Sequence, residues 1–480
     1  MSRINTNVSS LIAQRILRRN NDSLNTSLER LSTGLKINKG ADNPAGLIAS
    51  ENLRAEKVGI ATAIDNAQRA SNIIGTAEGG LSEVSSLLTE LQSLVSQTAN
   101  SGGLSNEEMA ANQLQVDSIL STINRIAGSV AFQGAKLLNG NYDYTTSSVT
   151  TSAFGSMKIN SARLPDNQTV NVVVSVTDSA TTGEVTFTGA SVTGDVTLEV
   201  AGNNGTEQLS FASGTAIADI ATAINAITEA TGVVASAGGG ALTFKSSGYG
   251  SSQFVSVKAI AGTFTTTDED GNGDGKDFGS NAAVTINGAA AQSDGLFVTY
   301  RTSNLDLEFD MTTEDATFTS GGLNNGGTVT FGITGGGATF SLGSKVTETD
   351  KASIGIASVS TGSLGNSALG FLSSLGTGGT NSLSSGNLVT AQKVVDKAIK
   401  QVSQLRGRLG AFQKFTIGST VNSLGVAYEN ASAAESAIRD TDFAEETANL
   451  TRSQILATAA TTVLAQANAS PQAALSLLRG

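Results

Sequence analysis

The sequence predicts a multidomain α + β protein in which both chain ends form a long α-helical coiled-coil rod and mainly β middle domains are inserted between them. Three observations predict it. The chain has 480 residues, too many for one ordinary domain. Glycine is sparse at the ends and dense between them, since 12 of the 54 glycines precede residue 141 and 6 follow residue 385. Apolar residues recur every three or four positions at the ends, whereas the middle carries short alternating or β-branched runs.

In chain order, Leu24, Leu28, Leu31 and Leu35 form a narrow apolar stripe that ends at Gly40, and Asn43 followed by Pro44 restarts a helix with proline in its first turn. From Ile60 a seven-residue repeat runs through Ala67, Ile74, Leu81, Leu88 and Val95, with a second row at Ala63, Ala70, Ala77, Val84 and Leu91. That is a coiled-coil seam, close-packed where alanine fills it and wider where Val84 and Leu91 do. Gly102 and Gly103 stop the helix, Ser105 and Glu108 spell a capping box, and apolar positions resume at Met109, Val116, Ile119, Ile123, Ile126 and Val130. An antiparallel helical hairpin follows.

The C-terminal part repeats this pattern at Val395, Ala398, Val402, Leu405, Leu409 and Phe412, then at Ile417, Val421, Leu424, Tyr428, Ala431 and Ile438. The phase slips near Thr416, as a stutter does, inside a third long helix of about 393–438. Asp442 and Glu445 cap a last helix whose stripe is Leu456, Ala460, Val463 and Ala467. Between the rod segments, strands are predicted at Val170 to Val176, Val185 to Phe187, Val196 to Val200, Ala241 to Phe244, Val255 to Val257, Val284 to Ile286, Leu305 to Phe309 and Val329 to Ile333. One helix interrupts them, with Ile217, Ile220, Ile224 and Ile227 on one face between Gly214 and Gly232. The segments Gly238 to Phe244 and Gly335 to Phe340 echo each other and suggest an internal duplication.

Composition narrows function by exclusion. Cysteine, histidine and tryptophan are absent, which removes disulfides, thiolate or imidazole metal ligands and the Ser-His-Asp and Cys-His nucleophile systems. A formal net charge of −12 argues against nucleic acid, whose binding rests on neutralised phosphates. The N-terminus has no basic segment followed by an apolar run, and no stretch reaches the length of a membrane span. The expectation is a chain that stays in the cytosol or leaves by a route needing no cleaved signal.

The terminal segments, 1–40 and 442–480, each carry one apolar stripe and together are too small for a core. Burying four leucines offsets only part of the entropy lost in ordering about 40 residues. These segments are therefore expected to be loose in the isolated chain and to order when many copies bury the stripes together. That describes a polymerising protein.

The same ends carry a resemblance. The motifs are INTN (Ile4 to Asn7), SLERLSTGLKIN (Ser27 to Asn38), Ala41 to Gly46 and NAQRASNIIGTAEGGL (Asn66 to Leu81), then LGAFQ (Leu409 to Gln413), ESAIRDTDFAEE (Glu435 to Glu446), RSQIL (Arg452 to Leu456), LAQAN (Leu464 to Asn468) and PQAALSLL (Pro471 to Leu478). In this order they resemble bacterial flagellin, and residues 194–260 resemble the insertion module of flagellins and some filament-cap proteins. The resemblance implies a secreted, extracellular filament subunit used for motility, with no enzyme activity and no cofactor. It implies that residues 1–44 plus 440–480 form the inner filament core, 45–165 plus 350–439 the helical rod of the outer tube, and 166–349 a β-rich surface region.

Core assembly is then expected from Leu24, Leu28, Leu31, Leu35, Leu456, Val463, Leu464, Leu475, Leu477 and Leu478, and the rod seam from Ile60, Ile74, Leu81, Leu88, Val95, Val402, Leu409 and Leu424. Partners implied by the resemblance are further copies of the chain, hook-filament junction and cap proteins, the flagellar export apparatus and an export chaperone contacting Leu456, Val463 and Leu464. Nucleic acid and membrane are not expected partners. Some vertebrate hosts sense flagellins through a receptor that docks on the rod. There Glu90 stands in place of an arginine and Gln115 in place of a glutamate, while Leu94 matches, so weak or absent receptor activation is expected. Alternative readings are a hook-filament junction protein, or a filament subunit with an adhesive middle domain.

Other candidates have plainer readings. Asp268, Asp270, Asn272, Gly273 and Asp274 begin like a calcium loop, but position 12 is Gly279, so an ordinary acidic turn is expected. Arg15, Arg18 and Arg19 suit subunit contacts, and the adjacent Glu445 and Glu446 point apart on a helix.

Overall fold

The computed structural model describes residues 6–100, 103, 105–150, 153–165, 168–268, 275–312, 327–366 and 369–479, the side chains of 471–479 excepted. Its helices are α1 (Val8–Thr33), α2 (Pro44–Thr98), α3 (Asn106–Ser129), α4 (Ile217–Ala226), α5 (Thr228–Thr231), α6 (Leu388–Ala411), α7 (Gly418–Arg439) and α8 (Phe443–Arg479). Two compact units divide the chain, one made of 1–68, 341–350 and 417–480, the other of 69–340 and 351–416.

Helix boundaries follow local chemistry. The side chain of Asn7 accepts the Ser10 N–H and starts α1. The helix stops at Gly34, whose φ of +74° suits glycine, and its N–H donates to the Arg30 carbonyl at 2.8 Å. The stripe therefore does not run on to Gly40, and Leu35 lies beyond the helix in an isolated bridge to Asp440. Asn43 accepts the Gly46 N–H at the head of α2. Ser105 and Glu108 close both halves of the capping box on α3, and Asp442 accepts the Ala444 and Glu445 N–H groups at the head of α8.

The α2 seam from Ile60 through Ala67, Ile74, Leu81, Leu88 and Val95 is fully buried, as is its second row from Ala63 to Leu91. In the second unit it packs beside α3, buried along Val116, Ile119, Ile123 and Ile126, and α6, buried along Val395, Ala398, Val402, Leu405 and Leu409. Arg406 pairs with Glu78 at 3.2 Å, and Gln92 donates to Asp396 at 2.9 Å. The expected phase slip takes the form of a π-helical turn at Phe412–Ile417. One wider turn rotates the following apolar positions, and Leu424 on α7 is only half-buried.

Two buried glutamines tie irregular chain to these helices. Gln113 accepts the Leu383 N–H and donates to the Leu375 carbonyl. Gln401 accepts the Gly365 N–H and donates to its carbonyl. Each buried amide thus satisfies backbone groups that no sheet partner reaches. Gly80 allows a further close approach, because a Cβ there would lie 2.8 Å from a methyl of Val130.

The β region of the second unit holds two cores. One is built from a five-stranded sheet (Ala289–Ala290, Ala283–Ile286, Val170–Asp178, Thr328–Gly336, Tyr144–Ser147) and a four-stranded sheet (Gln292–Asp294, Phe297–Arg301, Leu305–Met311, Phe154–Ala162). Phe154 stands edge-on to Phe309 and Phe331 at its centre. The other has two four-stranded sheets spanning 184–278, with Ile220 and Ile224 of α4 packed among Leu198, Val200 and Phe244. The two glycine-rich echoes are not a duplication. Gly239 and Gly240 turn a hairpin between paired strands, whereas Ala338–Ser341 after Gly336 and Gly337 pairs with Lys351–Ile354 and not with the strand before it.

The seam and the box give separable outcomes. Ile74→Ala is expected to destabilise the rod by about 2–5 kcal/mol, and Ser105→Ala by about 1 kcal/mol, both read from urea unfolding followed by circular dichroism.

Candidate assembly surface on the paired terminal helices

In the first unit the two chain ends lie antiparallel. Asn7 donates to the Ala467 carbonyl at 2.7 Å, Ser10 to Asn468 at 2.7 Å, and at the other end Arg30 meets Glu446 at 3.5 Å. The Lys36 N–H donates to the Arg439 carbonyl and the Thr441 N–H to the Gly34 carbonyl, which clamps the exit of α1 against the entry of α8. The first part of α2 and α7 are joined by Lys57 to Glu435 and Arg439 to Glu51, both at 2.8 Å. The hydrogen bond that Lys57 donates to Glu435 raises the Lys57 pKa.

What α1 and α8 bury against each other is small. Ser10, Ala13 and Ser27 are the buried residues of α1, and on α8 Glu446 and Ala460 are buried. Small side chains let the helix backbones approach closely, so the larger apolar residues are left outside the seam. Val8 is 56 % exposed, Leu11 57 %, Ile455 64 % and Val463 59 %, and Ile12, Ile16, Leu28, Phe443 and Leu456 are exposed as well. Exposed large apolar residues on both helices make them a candidate interaction surface.

The leucine stripe is not the face that stands out. Leu24 and Leu31 are half-buried, Leu28 is exposed and Leu35 is off the helix. On α8, Leu456 and Val463 are exposed and Leu464 is half-buried, while the side chains of Leu475, Leu477 and Leu478 lie outside the described residues. The row Val8, Leu11, Ile12 and Ile16 was missed, although its three- and four-residue spacing is a helical face in the sequence. On the rod, Glu90 and Gln115 are exposed, Leu94 is buried, and Leu114 stands 69 % exposed beside Gln115. The acidic run at 268–274 lies outside the described residues except Asp268, which is buried at the end of the strand Thr266–Asp268.

The link between α1 and α2 is held by Asp42, whose carboxylate accepts the Lys39 N–H at 2.8 Å and the Asn38 N–H at 3.0 Å. These two bonds hold its carboxyl below the ordinary carboxylate range. Lys39 in turn lies 2.8 Å from Glu29 across α1, an exposed pair of small energetic weight. Among the described residues no helix is long and apolar enough to cross a membrane.

Helices that bury small residues between themselves and turn large ones outward leave apolar surface open to a partner. Comparison with known proteins gives the family. The description "Bacterial flagellin N-terminal helical region" matches residues 4–143, "Bacterial flagellin C-terminal helical region" matches 392–478, and "Flagellin hook IN motif" matches 197–248. Flagellin B of Vibrio cholerae is 30 % identical over 480 residues and B-type flagellin of Pseudomonas aeruginosa 31 % over 512, each match covering 99 % of both chains. The chain belongs to the bacterial flagellins. It is a non-enzymatic, filament-forming subunit of the bacterial flagellum, which self-polymerises into the extracellular filament of motility. Among solved structures, FliC from Burkholderia pseudomallei is 17 % identical with a TM-score of 0.25, covering 72 % of this chain and 99 % of that one. The flagellar cap protein FliD from Escherichia coli is 21 % identical with a TM-score of 0.28, covering 46 % and 64 %.

The Asp42 bonds predict a pH dependence with a defined sign. Because the folded carboxyl sits below its unfolded value, ordinarily about 3.9, the contribution of the link is complete at neutral pH and is lost as pH falls through the folded value. Amide exchange at Asn38 and Lys39 should stay slow down to the ordinary carboxylate range and rise below it, while in Asp42→Asn it should be fast already at neutral pH.

Proposed function

We propose that residues 1–44 and 440–480 form the inner core of the filament, that the rod of 45–165 and 350–439 forms its outer tube, and that 166–349, with an insertion module at about 194–260, faces solvent. The observation that supports this reading is the exposed apolar face of α1 and α8. A face left open by a seam of small residues gains most from neighbours that cover it, so the terminal helices complete their ordering on assembly. Val8, Leu11, Ile12, Ile16, Ile455 and Val463 join Leu24, Leu28, Leu31, Leu456 and Leu464 in this role.

The same face explains a need for protection before export. An export chaperone covering Leu456 and Val463 would occupy residues that the core uses later, and so prevent premature polymerisation. Cap and junction proteins are proposed to meet the filament at its ends, and the flagellar export apparatus to deliver the unfolded chain. For the vertebrate receptor, Glu90 and Gln115 present a changed charge pattern on the rod surface and Leu94 is withdrawn into the bundle. Weak activation follows from both.

Seeded extension tests the core assignment. In sedimentation and negative-stain microscopy with short filament fragments as seeds, the full chain should extend filaments and a chain lacking 1–40 and 442–480 should not. Ile12→Asp and Ile455→Asp should each raise the critical concentration about ten-fold or more, with circular dichroism of the unassembled chain unchanged. Extension by the truncated chain would place the polymerising interface in the rod or the β region. In a receptor reporter assay, Glu90→Arg combined with Gln115→Glu should activate more strongly than the unmodified chain.

A further inference from the structure

A cavity of about 280 Å³ in the second unit is lined by Asp143, Lys158, Glu308 and Arg408. Lys158 and Glu308 face each other across paired strands, Arg408 enters from α6 and Asp143 from the turn before Tyr144. All four are half-buried, and among the described residues none of them makes an ion pair, unlike the neighbouring Lys397, which lies 3.7 Å from Asp310. The Arg408 Nε is buried without a hydrogen-bond partner. Charges withdrawn from water are normally paired. Burial pulls the Lys158 ammonium down, and it pushes the Asp143 carboxyl up even though that carboxyl accepts the Tyr144 N–H at 2.9 Å.

The arrangement of signs selects the occupant. Two cations and two carboxylates give no net charge, which disfavours a phosphate or a polyanion and complements a molecule that carries both signs. The pocket has room for a molecule of the size of a single amino acid. Leu364 and Phe371 add apolar groups to its lining.

We propose that this cavity binds a free α-amino acid with an apolar side chain. Its carboxylate lies against Lys158 and Arg408, its ammonium against Asp143 and Glu308, and its side chain against Phe371.

The test is calorimetric titration of the purified full-length, unassembled chain with L-leucine, with 4-methylpentanoate, which lacks the ammonium, and with 3-methylbutylamine, which lacks the carboxylate. Leucine should bind saturably, and each analogue about ten-fold or more weakly. Lys158→Met and Glu308→Gln should each reduce leucine binding to a similar degree, Lys158→Arg should retain it, and Phe371→Ala should weaken leucine while leaving glycine unchanged. Circular dichroism melts identify any variant that fails to fold, and Phe371→Ala, whose side chain is outside the charged cluster, then still decides between the outcomes. No saturable heat with leucine up to about 10 mM, an affinity of about −3 kcal/mol or weaker, would overturn the proposal and leave a hydrated charge cluster. Equal binding of 4-methylpentanoate or 3-methylbutylamine would overturn it too.

Discussion

The constraint on which the rest of this structure depends is the meeting of the two chain ends. Gly34 turns the chain out of α1, and the exchange of backbone hydrogen bonds with Arg439 and Thr441 fixes that exit beside the start of α8. Ser10, Ala13 and Ala460 then let the two terminal helices lie close. Because the seam uses the smallest side chains, it gains little from apolar burial on its own and consigns the larger residues to the outside.

Charge has a subordinate part in the first unit. Lys57 with Glu435 and Arg439 with Glu51 set the register of α2 and α7, but they are surface or half-buried pairs whose net worth is modest. The second unit leans on polar groups of another kind. Gln113 and Gln401 are neutral, fully engaged on both amide atoms and buried, so they hold irregular backbone without the desolvation cost of an ion.

Legibility from sequence tracked the range of the interactions. The α2 seam, the capping box at Ser105 and the restart at Pro44 depend on residues within one or two turns, and all are plain in the sequence. The phase slip at Thr416 was visible too, though periodicity cannot tell a stutter from a π turn, because both rotate the apolar stripe. Leu35 misled because it keeps helical spacing, while the left-handed Gly34 had already ended the helix. The strand Phe154–Ala162 has a mixed polar sequence and takes its place only by pairing with Leu305–Met311, far along the chain. The exposed row at Val8 was readable as a helical face, but the sequence could not say which of two stripes the small-residue seam would cover. The meeting of Lys158, Glu308 and Arg408 in one cavity depends on that same long-range pairing and leaves no local signal.

Packing α6 beside α2 and α3 turns the chain between Ser129 and Leu388 into one closed loop whose base is those helices. The entropy of closing such a loop grows only with the logarithm of its length, about 0.6 kcal/mol for each doubling. The base already holds its ends together. Domains between them can therefore be lengthened, exchanged or lost at little thermodynamic cost to the helices of that base.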